Sequence, residues 1–518
     1  MSRRALLLIL LLAFGLRLVN LGGRSLWYDE AFAVLFAEKG LDAMLYGTLT
    51  PVEGGAADIH PLLYYVTLNG WMTVFGQSPF AVRLWSVLLG VATVGMMYLL
   101  GRELYSEKTG QAAALITAIA PFHVQYSQET RMYALMGLLL TGATWCYVRA
   151  WRASAASTGI PRHWRWWIAF GVLAGLAMYT QQLSAFYLAA LGIAPLVARR
   201  KAQMIGVLVG ALVAIIVYLP WLVNLPGQFN KVRSYYWIET PDLGEILGTL
   251  FSLLVVNRDI PQAAFMPALM GAVFVTIFLA AQVVLYLRSH RLPQDRKPLL
   301  FTLWLVVIPI GLMWLISQLQ PVYLPRALLP SALMLYLALA WMFTRSGMPR
   351  PVAGVMGVIT GILAGIGLYY QYTWATFPNS PFPQVLAYAG ARWQEGDMIV
   401  HQNKLSALPG FYYEPALPQR YLRDTPGSSE DTLALPTQQA LGKLAEGCIQ
   451  SASRNAERIW FVVFEAAERQ YEAAGRPEYR QTVDWLEAHF TPTERQQFND
   501  LQLVLYSNRA AGTPNECP

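Results

Sequence analysis

Three polar clusters interrupt a chain that is otherwise strongly apolar, and their residue types suit acid–base and phosphate chemistry. The first is Ser25-Leu26-Trp27-Tyr28-Asp29-Glu30. Two adjacent carboxylates beside a Trp-Tyr pair are either solvated loop acids or a general base (or metal ligand) held where low polarity disfavours charge. Asp58, His60-Pro61, Tyr64 and Tyr65 follow on the same predicted connection. The second cluster runs from Pro121 to Tyr133 and contains Glu129 and Arg131. On a helix these two would sit about 200° apart, so a base and a cation facing different parts of one cavity fit better than an intrahelical ion pair. The third is Gln320-Pro321-Val322-Tyr323-Leu324-Pro325-Arg326. Arg326 either snorkels to lipid headgroups or binds a phosphate with its fixed fork of donors. Carboxylates near arginines suit deprotonation of an acceptor hydroxyl or amine while a phosphate leaves, and the aromatics suit sugar rings and isoprenoid chains alike.

The elements that must position these clusters are membrane helices. Of 518 residues, 55% are hydrophobic and 13% charged, against about 25% charged in ordinary soluble domains. Mean hydropathy is +0.37. This composition argues against a cytosolic enzyme, and 13% aromatic content argues against disorder. Apolar runs of spanning character are Ala5–Leu21, Phe80–Leu100, Gly110–Pro121, Met132–Val148, Trp166–Tyr179, Leu183–Val197, Ala202–Trp221, Phe265–Leu287, Leu299–Ser317, Arg326–Phe343 and Pro351–Tyr372. The first follows Arg3 and Arg4 without a small-residue cleavage site and reads as a retained anchor.

The net charge of +7 averages two unlike regions. Residues 1–374 carry 26 Lys/Arg against 14 Asp/Glu, whereas residues 375–518 carry 12 against 17. Seventeen of those 26 basic residues fall at the N-terminus and on alternate connections, among them Arg102, Arg149, Arg162, Arg199, Arg291 and Arg345. The basic excess therefore sets orientation and does not signal nucleic acid binding. It places the N-terminus in the cytoplasm and, with an odd number of spans, the acidic loops and the C-terminal tail outside. All three polar clusters then lie on the outer side. Residues 375–518 alternate helical and strand-like segments and predict a small α/β domain. That tail has no Gly-rich phosphate loop and no nucleophile elbow, so no chemistry is assigned to it. Cys146, Cys448 and Cys517 lack metal-type spacing, and neither a disulfide framework nor a zinc site is read from them.

Five segments in order carry a family resemblance: Arg17 with Leu26-Trp27-Tyr28-Asp29-Glu30-Ala31; Asp58-Ile59-His60-Pro61-Leu62-Leu63-Tyr64-Tyr65; Ala81-Val82-Arg83-Leu84-Trp85-Ser86; Tyr126-Ser127-Gln128-Glu129 with Arg131-Met132-Tyr133; and Pro325-Arg326-Ala327-Leu328-Leu329-Pro330. Over roughly residues 10–345 the chain resembles glycosyltransferase family 39, the bacterial branch related to protein O-mannosyltransferases and the aminoarabinose transferase of lipid A. It departs at Leu62, where the family usually has a second proline, and at Ala327, where it usually has tyrosine. The resemblance implies a polytopic α-helical membrane protein of the GT-C fold, with about eleven transmembrane helices and a C-terminal extracytoplasmic α/β domain. It implies an inverting transfer from a polyprenyl-phosphate-linked sugar to an extracytoplasmic lipid, protein or polysaccharide at the bacterial cytoplasmic membrane. Carried over by position, Asp29, Glu30 and Glu129 form the catalytic set, with Asp29 the base. Arg131 and Arg326 would bind the donor phosphate, and His60, Tyr64 and Tyr133 would line the donor site. No cofactor is expected, with a divalent metal kept open. A transporter or flippase for lipid-linked sugars is the rival reading, and the lack of internal repeats or mid-span charges tells against it. A ligase using a diphosphate carrier would share the architecture.

Overall fold

The computed structural model describes residues 3–53, 55–155, 164–234, 238–256, 260–289, 293–423, 433–464, 469, 472 and 478–517. Arg162 and Arg291 of the basic connections lie outside these residues. Each of the eleven apolar runs contributes a helix. They are α1 (Arg3–Leu18), α5 (Pro79–Leu104), α6 (Glu107–Ile119), α8 (Tyr133–Ala155), α9 (Trp164–Thr180), α10 (Ser184–Val197), α11 (Lys201–Leu222), α14 (Gln262–Arg288), α15 (Arg296–Ser317), α16 (Leu329–Arg345) and α17 (Arg350–Thr373). Among the described residues, six helices are long and apolar enough to cross a membrane by length and composition. Between them lie the shorter helices α2 (Tyr28–Ala37), α3 (Gly40–Leu49), α4 (Leu63–Phe75), α7 (Pro121–Ser127), α12 (Leu225–Ser234) and α13 (Leu243–Val255), and a small ribbon of β1 (Pro51–Val52) and β2 (Gly55–Ala56).

Helix ends follow local chemistry. Ser78 Oγ accepts from the Ala81 N–H ahead of α5, with Pro79 at the first turn, and Ser106 does the same for α6. Both are N-caps of the preferred type. α5 packs among α1, α6 and α8, and α16 packs on α6 and α15. The close α5–α6 approach needs glycine. A Cβ at Gly101 would lie 2.8 Å from Gly110 Cα, and one at Gly110 would lie 2.5 Å from the Tyr98 carbonyl oxygen.

The second polar cluster does not form one helix. The stretch Pro121–Tyr133 is not continuous: α7 stops at Ser127 and α8 starts at Tyr133. The Thr130 N–H, which a continuing helix would give to a carbonyl four residues back, donates instead to Glu30 Oε1 at 2.8 Å. The 200° separation argument therefore does not apply to Glu129 and Arg131, which sit in the turn between the two helices.

The tail contains β3 (Asp397–His401), β4 (Gln419–Tyr421), β5 (Arg458–Phe464), β6 (Thr491–Phe498) and β7 (Leu501–Ser507). Strand order is β4-β3-β5-β7-β6, with β3, β4 and β5 parallel and β7 antiparallel to β5 and β6. Its helices are α18 (Phe382–Gly390), α19 (Lys404–Tyr413), α20 (Leu435–Leu441), α21 (Ile449–Ala452) and α22 (Glu478–His489). Alternate residues of β5 serve opposite faces. Trp460, Val462 and Phe464 pack with α18, and Ile459, Phe461 and Val463 pack with Ile449, Leu486 and Phe490. Cys448 and Cys517 form a disulfide across 69 residues, a pairing not read from the sequence. No local spacing encodes the pair. The terminal segment returns to α21, where Arg509 donates to the carbonyls of Ser453 and Ala456.

His401 is buried at the end of β3, with Nδ1 near Ser406 Oγ (3.1 Å) and Nε2 near Gln419 Oε1 (3.0 Å). Burial lowers its pKa from 6.5 to about 4, against a smaller opposing effect of Gln419. Between those values the unfolded chain binds a proton that the folded chain does not. Stability is then full above about pH 6.5 and is lost as pH falls towards 4, by on the order of 2–3 kcal/mol. Hydrogen exchange of β3 and β5 peptides in the full-length protein checks this: exchange accelerates between pH 6.5 and 4.5, beyond the intrinsic rate, and His401→Gln flattens the dependence.

Candidate functional site

The first cluster sits where α1 hands over to α2. Trp27 is the N-cap of α2 but gives no side-chain cap, so Asp29 and Glu30 occupy the first turn, where the helix dipole favours anions. Their side chains diverge. Asp29 Oδ2 lies 3.5 Å from Arg131 Nη2 and 3.8 Å from Arg326 Nη1. These separations are long for charge-assisted hydrogen bonds, and Oδ2 is buried without a hydrogen bond. Arg131 Nη1 also donates to the Asp29 carbonyl at 3.3 Å and to Tyr65 Oη at 3.5 Å. The Arg326 guanidinium lies 5.4 Å from the Tyr133 ring centroid and 5.9 Å from that of Trp27, within cation–π range. Tyr133 in turn meets Tyr126 edge-on at 5.3 Å. Three segments far apart in sequence thus converge on one carboxylate.

Glu30 belongs to a different arrangement. It is fully buried and receives Arg83 Nε at Oε1 (2.9 Å) and Arg83 Nη2 at Oε2 (2.6 Å), besides the Thr130 N–H. Arg83 also donates to the carbonyls of Leu21, Arg24 and Ser25 at 2.8–2.9 Å. The pair ties the Asp29 loop, α5 and the α7–α8 turn together. Glu30, expected among the catalytic acids, thus accepts three hydrogen bonds, two from Arg83 and one from the Thr130 N–H.

The remaining expectations divide. Glu129 is buried in the α7–α8 turn and accepts from Gln125 Nε2 at 3.0 Å. Tyr64, expected in the donor site, is buried with its hydroxyl on Ser86 Oγ at 3.0 Å, while its neighbour Tyr65 reaches Arg131. His60 Nδ1 is 2.7 Å from Asp58 Oδ1, which also accepts the backbone N–H groups of Ile59 and His60. Burial would raise the Asp58 carboxyl, but the His60 ring and these hydrogen bonds outweigh it and hold it at about 2. The His60 ring is thereby oriented by Asp58 and not by the Asp29 cluster. Arg83 and Tyr65 were given no role from the sequence. An arginine within the apolar run Phe80–Leu100 was the available signal for the first, and adjacency to Tyr64 hid the second. Among the described residues no three His, Cys, Asp or Glu side chains gather at metal-binding distance.

Residues 59–223 match the family described as dolichyl-phosphate-mannose-protein mannosyltransferase. An undecaprenyl phosphate-alpha-4-amino-4-deoxy-L-arabinose arabinosyl transferase from Pseudomonas fluorescens is 26% identical over 404 residues, covering 75% of this chain and 70% of the relative. ArnT from Cupriavidus metallidurans, solved bound to undecaprenyl phosphate, superposes with TM-score 0.59 at 12% identity, covering 99% of each chain. This is a glycosyltransferase with the GT-C fold. The glycosyltransferase is a multi-pass membrane protein. It also shares its fold with the Archaeoglobus fulgidus oligosaccharyltransferase, at TM-score 0.54 and 15% identity over 97% of this chain and 73% of that one. The transporter reading has no support among these relatives.

Proposed function

We propose that the enzyme moves a sugar from a polyprenyl-phosphate carrier to an extracytoplasmic acceptor, with Asp29 as base and Arg131 and Arg326 on the leaving phosphate. The observation that carries this reading is the Asp29 carboxylate held loosely between two guanidiniums and walled by Trp27, Tyr65 and Tyr133. A donor phosphate competes for the same two guanidiniums. Asp29 then takes the acceptor proton while the acceptor atom attacks the anomeric carbon. The bond from that carbon to the phosphate oxygen breaks, and its electron pair leaves with polyprenyl phosphate. A single displacement of this kind inverts the anomeric centre. The arginines supply the charge on the leaving oxygen, so the scheme needs no cofactor. Glu129 and the ring of Tyr133 border the cluster and shape it.

Alternating basic connections support a cytoplasmic N-terminus and an extracytoplasmic tail in a bacterial inner membrane. The Cys448–Cys517 disulfide supports the same side for the tail, since disulfides persist in oxidising compartments. Lipid, protein and polysaccharide acceptors all fit this chemistry. The relatives favour an aminoarabinose-type donor. The test is incubation of purified enzyme with polyprenyl-phosphate-linked sugars and measurement of released polyprenyl phosphate. Release from at least one such donor supports the reading, and flipping of the donor across vesicles without release refutes it. Arg326→Lys keeps the charge and loses the fork, and Arg326→Ala loses both. Donor KM is expected to rise about 10-fold for lysine and about 100-fold for alanine, the range for hydrogen bonds to charged groups.

A further inference from the structure

The α/β tail, to which the transfer reading assigns nothing, reaches directly into the machinery that places Asp29. Its helix α19 packs against α2 and ends in two adjacent tyrosines that grip two different connections of the membrane part. Tyr413 Oη accepts the Leu26 N–H at 2.7 Å, and Tyr412 Oη donates to the Gln77 carbonyl at 2.5 Å. Leu26 is three residues before Asp29, and Gln77 is six before Arg83. The two bonds therefore seize the chain just ahead of each partner of the Arg83–Glu30 pair. Docking is reinforced farther out, where Thr437 Oγ1 donates to the Gly47 carbonyl and Tyr46 Oη donates to Gln439 Oε1, each at 2.7 Å.

The backbone between α1 and α2 has its polar groups held from two sides. Arg83 takes the carbonyls of Leu21, Arg24 and Ser25 from within the membrane part. Tyr413 takes the next N–H from the tail. Trp27 supplies no side-chain cap, so the Leu26 bond is the last side-chain hold on the backbone before the helix that carries Asp29. Burial raises the Tyr413 hydroxyl to about 12, with Glu30 adding to the shift and the Leu26 N–H and Arg83 opposing it. The hydroxyl therefore stays neutral and is an unchanging acceptor over the working pH range.

We infer that Tyr413 is a positioning residue for Asp29, so that the tail is a structural part of the catalytic site and any ligand that lifts α19 slows transfer. This rests on the assignment of Asp29 as the base. With Tyr413 bonded, the first turn of α2 is fixed relative to Arg131 and Arg326. Without that bond, the buried Leu26 N–H loses its partner and the carboxylate samples a wider range.

The test uses the full-length enzyme and two readouts. Tyr413→Phe keeps the ring and removes the acceptor oxygen. It is expected to lower kcat about five- to tenfold, the value of one hydrogen bond, with donor KM unchanged and the protein still folded. Hydrogen exchange of the peptide spanning residues 21–31 is expected to accelerate in the same variant, while peptides of β5 and β7 keep their rates. Tyr46→Phe, which removes a docking bond away from Leu26, should leave both readouts at wild-type values. Wild-type kcat in Tyr413→Phe, or unchanged exchange at residues 21–31, overturns the inference. If Tyr413→Phe melts early, the exchange readout at a temperature where it is folded still decides. Failure of the base assignment is distinguishable: Asp29→Asn would then retain activity, whereas the exchange difference at Leu26 would persist.

Discussion

Asp29→Asn is expected to lower kcat by about 10²–10⁴-fold, the usual cost of removing a general base, while the protein still folds. The substitution keeps the shape of the side chain and removes only its charge and basicity. No hydrogen bond to Oδ2 is lost, since the carboxylate meets Arg131 and Arg326 at 3.5 and 3.8 Å without one. The donor KM is the sharper discriminator. With the competing anion gone, the donor phosphate no longer contends with Asp29 for the two guanidiniums, so KM stays level or falls. A rise in KM in step with the fall in kcat would show that Asp29 binds donor and is not the base. Asp29→Glu retains the charge but displaces it by one methylene, and its activity should fall between those of wild type and Asp29→Asn. Steady-state rates against donor concentration, with circular dichroism and melting curves as fold controls, measure all of this.

Much of this arrangement was legible in the residues, and what was not has identifiable causes. The apolar runs anticipated each long helix because lipid-facing helices must be apolar along their length. Asp29, Arg131, Arg326 and Tyr133 were legible because polar groups close to an apolar slab are few, and these four do converge in space. Glu30 and Tyr64 each adjoin a residue that reaches the cluster, and adjacency in sequence does not separate the members of such a pair. On a helix, neighbours point about 100° apart, so Glu30 turns to Arg83 where Asp29 turns to Arg131. The break at Gln128–Met132 falls in the gap between the apolar runs Gly110–Pro121 and Met132–Val148, whereas the bond from Thr130 to Glu30 joins residues 100 apart and has no local signal. Tyr412, Tyr413 and the disulfide lie in the tail, and their partners are separated from them by 335, 387 and 69 residues. No local window could pair them.

Glu30→Gln is the second large effect, and it should differ in kind from Asp29→Asn. The Arg83–Glu30 pair is buried at both ends, with side-chain exposures of 1% and 0%. Breaking such a pair leaves an uncompensated buried charge and costs about 3–5 kcal/mol. The glutamine amide can still accept one bond, but it presents a donor to the guanidinium where Oε1 or Oε2 now accepts. The expected outcome is a large drop in melting temperature and in yield of folded protein, with activity lost in proportion to folding. Arg83→Met combined with Glu30→Leu should recover part of the stability, since replacing a buried ion pair by apolar groups is often neutral. Recovery should stop short of wild type, because the carbonyls of Leu21, Arg24 and Ser25 and the N–H of Thr130 then lack the partners that Arg83 and Glu30 provide. Activity should recover less than stability, because these groups fix the loop that carries Asp29. A Glu30→Gln enzyme that melts as wild type yet loses 10²-fold or more in kcat would exchange the roles of the two acids. Glu30 would then be the base, and Arg83 its activator.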